Sequence, residues 1–156
     1  GLLDTPVLYL SRYINRNKPD YYRLLQAVRD ASGDEQASAA SWQAWVRFML
    51  HAVADTAQRT VKLVSGVRTL MAETKHRMRN DLPKLYSQDL LNNLFRHPYT
   101  RIEFVQKDLG VTRPTATRYL RQLTQAGLVQ EHSQGKHIYF VNVPLVQLLT
   151  QGEQAH

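Results

Sequence analysis

Arg113, Arg118 and Arg121 recur through the stretch VTRPTATRYLRQLTQAGLV (111–129), with Thr112, Thr115, Thr117 and Gln122 set among them. Guanidinium forks pair with phosphate oxygens or with the acceptor edge of guanine, and hydroxyls and carboxamides add bonds to the same groups. No acidic residue occurs from Val111 through Gln130, so an anion approaching this stretch meets no local repulsion. The chemistry these residues share is anion recognition, and the backbone of DNA is the partner it suits. Lys136 and His137 follow Gly135 in a second basic point that could enter a neighbouring minor groove.

Other chemistries find less support. The chain has no cysteine, which excludes a disulfide framework and thiolate-bound metals. It also has no glycine-rich phosphate loop, no GxSxG elbow and no HExxH pair. His132 and His137 flank a turn, placed to face each other across two strands. Strand alternation turns Glu131, the one nearby third ligand, away from His132, so no metal site is expected. His51 and His76 stand alone on helices. Asp20 and Asp30 read as helix-end residues, and Asp34 and Glu35 fall in a loop, so no catalytic constellation is expected.

The 156 residues, 43% apolar and 21% charged, fit one medium or two small folded domains. No apolar run approaches the roughly 20 residues that span a bilayer, and residues 1–16 lack the pattern of a signal peptide. The expectation is a cytoplasmic protein without a membrane partner. The net charge of +7 is spread unevenly: residues 1–86 hold 13 Lys/Arg against 8 Asp/Glu, and residues 87–156 hold 7 against 5. The half containing the arginine stretch is the less basic one, so a case for DNA rests on placement rather than total charge.

The elements that would place these residues follow from periodicity. Val7, Leu10 and Ile14 share one face of a short helix over 6–16, and Tyr21, Leu24, Leu25 and Val28 line a second that starts after Asn17 and ends near Asp30. Residues 31–40 read as a polar loop. Ser41 then caps a third helix, whose Trp42, Trp45, Val46, Met49 and Val53 form a wide stripe with both tryptophans filling a core. From Asp55 to Asp81, Thr60, Val64, Val67, Met71, Thr74 and Met78 mark a long helix, with Gly66 closely packed or at a slight bend.

Beyond Pro83 the pattern predicts a helix over 87–97 and another from Thr100 to Gly110. A third has Thr112 as N-cap and Gly127 past its end, two strands follow around SQGK, and a last helix covers about 144–151. Three helices and a hairpin, with Gly110 in a tight bend between Leu109 and Val111, is the order of a winged helix-turn-helix. Ala116, Leu120 and Leu123 then face inward and the arginines outward. The alternative reading is a protein-binding or dimerisation module with a solvated basic face.

LLDTPVLYLSRYI, DYYRLLQAVRD and WQAWVRFML resemble the segment of Fic-family proteins that follows their catalytic motif, and residues 87–143 resemble the winged-helix domain of many bacterial members. The resemblance implies a helical enzyme that transfers AMP from ATP, with Mg, to a hydroxyl of a protein substrate. An HPFxxGNGRxxR motif supplies the base and the phosphate-binding groups. That motif is not in this sequence: the one His-Pro pair, His97 and Pro98, is followed by YTRIEF. The chain thus reads as a C-terminal portion of such a protein, a mainly α fragment that itself holds no cofactor and carries out no transfer. Its expected parts are the last Fic helices (1–54), a connector helix (55–83) and the winged helix (84–156), with a homodimer among the possible assemblies. By the same resemblance Tyr21 and Tyr22 lie near the nucleotide pocket; packing in the helical core is the alternative for both.

Overall fold

The computed structural model describes the backbone of residues 9–135 and 137–154, and the side chains of that span up to residue 150. Helices α1 (Leu10–Arg16) and α2 (Lys18–Asp30) meet at Asn17, whose side chain donates to the Tyr13 carbonyl at 2.9 Å. Val7 and the expected helix start at Pro6 lie outside the described residues. After a turn at residues 31–34, α3 runs without a break from Glu35 to Asp81.

That start corrects the expected loop over 31–40 and the expected cap at Ser41. Asp34 is the residue that caps, accepting from the backbone N–H groups of Gln36 and Ala37 at 3.0 and 3.1 Å. Alanine, glutamate and glutamine are strong helix formers, and a capped start extends the helix through them without an apolar stripe.

The chain divides into two compact units, Gly1–Lys62 and Leu63–His156, with the division inside α3. In the first unit the core is small. Leu24 and Ala52 are buried, and Trp45 and Phe48 meet Tyr13 and Tyr21 at ring separations of 5.1–6.4 Å. The inward face of α3 is thus rotated from the expected stripe: Trp42, Val46 and Val53 are exposed, and only Trp45 of the two tryptophans packs. Val64 is likewise exposed, whereas Thr74 and Met78 are buried.

The second unit is built around leucines. Helices α4 (Gln88–Arg96), α5 (Ile102–Leu109) and α6 (Arg113–Gln125) bury Leu90, Leu91, Leu94, Val105, Ala116, Leu120 and Leu123 against Met78, Leu85, Leu128 and Phe140. Ser87 caps α4 through the Leu90 N–H at 3.1 Å. Gly110 takes φ +65 at the end of α5, the left-handed geometry its bend requires. Gly127 (φ +67) closes α6 in a Schellman motif, with Leu128 N donating to Leu123 O and Gly127 N to Thr124 O, both at 2.9 Å.

Strand β1 (Tyr99–Thr100) pairs with β3 (His137–Val141), which also pairs with β2 (Gln130–Gln134), giving an antiparallel sheet in the order β1-β3-β2. Thr100 is therefore a strand residue and not the start of α5. It is held by the Val141–Phe140 edge and by its hydroxyl, which donates to Asn93 Oδ1 at 2.6 Å. Helix α7 (Val143–Gln154) returns to α3, where a Cβ on Gly66 would stand 2.9 Å from Leu148 Cδ1; close packing is the reason for this glycine. None of the described helices is long and apolar enough to cross a membrane.

Two substitutions separate core packing from turn geometry. Leu120→Ala is expected to cost about 2–5 kcal/mol of unfolding free energy and Gly110→Ala about 1–2 kcal/mol, both read by denaturant unfolding of the chain.

Candidate nucleic-acid interface

Helix α6 presents two faces fixed by its 3.6-residue period. Ala116, Leu120 and Leu123 have no exposed surface, Arg118, Arg121, Gln122 and Gln125 are exposed on the other side, and Arg113 is exposed at the first position of the helix. Arg113, Arg118, Arg121, Gln122 and Gln125, with Pro114 and Thr117, line a concavity of about 610 Å³. Its lining therefore combines three guanidinium groups and two carboxamides.

The smaller side chains are partly engaged. Thr112 is the N-cap of α6, as expected, in the extended conformation but without a side-chain cap bond; its hydroxyl pairs with that of half-buried Thr115 at 3.1 Å. The Thr117 hydroxyl donates to the Arg113 carbonyl at 2.9 Å. Arg118 carries its guanidinium over the Tyr119 ring, 5.7 Å from the centroid, which orients the fork without burying it. At the far end Arg77 Nη2 of α3 donates to the Ala126 carbonyl at 2.7 Å, tying the C-terminus of α6 to the long helix within the same unit.

The hairpin differs from expectation in register. His132 stands opposite Tyr139 and His137 opposite Gln134, so the two histidines do not face each other. His137 is exposed, and its Nδ1 lies 3.3 Å from Arg101 Nη2. Lys136 lies outside the described residues. No group of three or more metal-ligating side chains occurs among the described residues.

Arg101 and Glu103 belong to this region and were not foreseen. The Arg101 guanidinium sits 5.7 Å from the ring centroids of both Phe104 and Tyr139. Glu103 Oε2 is 3.4 Å from Arg101 Nε, and Glu103 Oε1 accepts from Arg113 Nη1 at 3.2 Å. Opposite charges two residues apart in TRIE are the only trace in the sequence, because the pairing with Arg113 is created by the α5–α6 turn. The carboxyl of Glu103 is held below the usual glutamate range. Its own backbone N–H contributes most; burial is the next largest effect and opposes it, and the charge of Arg101 and then the hydrogen bond and charge of Arg113 add to the lowering.

Tyr21 and Tyr22 lie in the first unit. Tyr21 packs among Trp45, Phe48 and Tyr22, and Tyr22 is exposed. A nucleotide also needs groups that hold its phosphates, and the cluster round Tyr21 is made of rings. Gly33 is the single glycine between residues 9 and 62, so no glycine-rich cradle is present there. The rings around Tyr21 supply no phosphate-holding group of their own.

A lowered Glu103 pKa has a definite sign. The ionised carboxylate contributes to stability above the unfolded value and loses that contribution as pH falls through the lower folded value. Carbon-detected titration of Glu103 should give a midpoint below that of an ordinary glutamate, shifting part of the way back in Arg113→Ala; a midpoint unchanged by that substitution contradicts the pairing.

Residues 70–145 match the family model described as "Protein adenylyltransferase SoFic-like, C-terminal domain". The match opens inside α3, ahead of Thr74 and Met78, and closes at Leu145 in α7, taking in α4, α5, α6 and the whole sheet. Residues 70–145 are thus similar to the C-terminal domain of SoFic-like protein adenylyltransferases.

Proposed function

We propose that residues 84–156 act as a winged helix-turn-helix that docks α6 on duplex DNA in the cytoplasm, bringing the adenylyltransferase to its target or to its own promoter. The observation that carries this reading is the solvent-facing surface of α6, where Arg113, Arg118 and Arg121 are all exposed and no acidic residue occurs from Val111 through Gln130. Thr112, Thr115, Thr117 and Gln122 would position the helix through phosphate and base-edge bonds, and Lys136 and His137 would reach across from the hairpin. Transfer of AMP from ATP and Mg to a protein hydroxyl is the activity we assign to family members that carry the HPFxxGNGRxxR motif. No catalytic step is assigned to the residues of this chain.

Each arginine that neutralises a phosphate releases condensed counterions. Arg118→Ala and Arg121→Ala should each weaken binding to a mixed-sequence duplex and lower the slope of log affinity against log salt by about 1, measured by fluorescence anisotropy. Wild-type protein with no salt-sensitive association rules the reading out.

A second reading, association with another copy of the chain, is favoured by a different observation. Trp42, Val46, Leu50, Val53 and Val61 are between 40% and 64% exposed along one face of α3. With Ala57 they are spaced by 4, 4, 3, 4 and 4 residues. The series reads the same in both directions, so antiparallel helices would set Trp42 against Val61, Val46 against Ala57 and Leu50 against Val53. Arg47 is the one charge close to this face, so self-pairing brings no cluster of like charges together. Sedimentation equilibrium should show concentration-dependent dimers that Leu50→Glu abolishes; a monomer at every concentration removes this reading.

A further inference from the structure

Glu103 is the single acidic side chain paired with Arg113 at the start of α6 among the described residues, and it holds Arg101, the N-cap of α5, at the same time. One carboxylate oxygen accepts from Arg113, the first residue of α6, at 3.2 Å, and the other lies 3.4 Å from Arg101 Nε. Arg101 in turn lies over Tyr139 and beside His137, so the carboxylate is linked through Arg101 to the wing strand β3. Two anionic oxygens bridging two guanidinium groups reproduce the chemistry of a backbone phosphate.

We propose that Glu103 is a specificity-determining residue that occupies the place of a DNA backbone phosphate and competes with the duplex for Arg113 and Arg101. This inference rests on the duplex-binding reading above. Side chains of Glu103 and Arg113 are 49% and 63% exposed, and an ion pair that open to water is weak, so a phosphate displaces the carboxylate at little cost. Once displaced, the carboxylate remains beside the incoming phosphate and repels it. The repulsion falls on every complex, but complexes that make few other contacts are least able to bear it, so Glu103 lowers indiscriminate backbone binding more than it lowers binding at a well-matched site.

The test compares wild type, Glu103→Gln and Asp89→Asn by anisotropy on a mixed-sequence duplex over a range of salt. Asp89→Asn removes the same charge from α4, which takes no part in this cluster. Glu103→Gln should bind about 5- to 10-fold more tightly than wild type, with a salt slope steeper by about 1, whereas Asp89→Asn changes affinity much less. In an Arg113→Ala background the gain from Glu103→Gln should shrink, because one of the two released cations is gone. Wild-type binding with Glu103→Gln no tighter than Asp89→Asn overturns this inference and leaves duplex binding standing. Absence of binding by all three proteins overturns both.

Discussion

Burial of Ala116, Leu120 and Leu123 without any exposed surface decides how the rest of the second unit is arranged. A helix turns 100° per residue, so once these three positions face Leu90, Leu94, Val105 and Phe140, the guanidinium groups at 118 and 121 point to solvent. Arg113 lies nearer the leucine side of the wheel and is exposed as the first residue of α6, where it pairs with Glu103. The positive φ of Gly110 and the Schellman closure at Gly127 set both ends of α6, and Arg77 anchors its last turn to α3. Altering the leucine face would alter the basic face with it.

A buried polar network shapes the opposite side of the unit. Asn93 receives the Thr100 hydroxyl and donates to Asp108 at 2.8 Å, and Asp108 also accepts from Arg96 at 2.9 Å. Asn142 joins the same region, donating to the Leu94 carbonyl and accepting from the Leu145 N–H. Among the described residues no buried side-chain nitrogen or oxygen lacks a partner. Such satisfied groups link α4, β1, α5 and α7, so the sheet and the helices hold a single register.

Much of this order could be read from residue patterns, for reasons that are local. Glycines at 110 and 127 mark left-handed positions that few other residues tolerate, Ser87 announces a cap, and a leucine every three or four residues marks an inward face. The failures are equally physical. Residues 35–40 lack an apolar stripe, and the helix there depends on Asp34 and on intrinsic propensity. Trp42 and Trp45 are three positions apart, so either could lead the stripe until Tyr13 and Tyr21 cover Trp45 and Phe48. Strand β1 is two residues long and exists only through its distant partner β3. Charge was obscured by where the chain is divided. Cut at residue 86, the second part holds 7 Lys/Arg against 5 Asp/Glu; cut at Lys62, where the units separate, it holds 12 against 7. Glu103 was invisible because its partner lies across a turn.

The central claim is that the arginine-bearing face of α6 is where a duplex docks. Amide chemical-shift mapping of the isotope-labelled chain during titration with a mixed-sequence duplex tests it most directly. The account predicts the largest shifts from Thr112 to Gln125 and at His137, with the guanidinium signals of Arg118 and Arg121 moving in step. Shifts concentrated on the Trp42–Val61 face of α3, or none on α6 at saturating duplex, would contradict it.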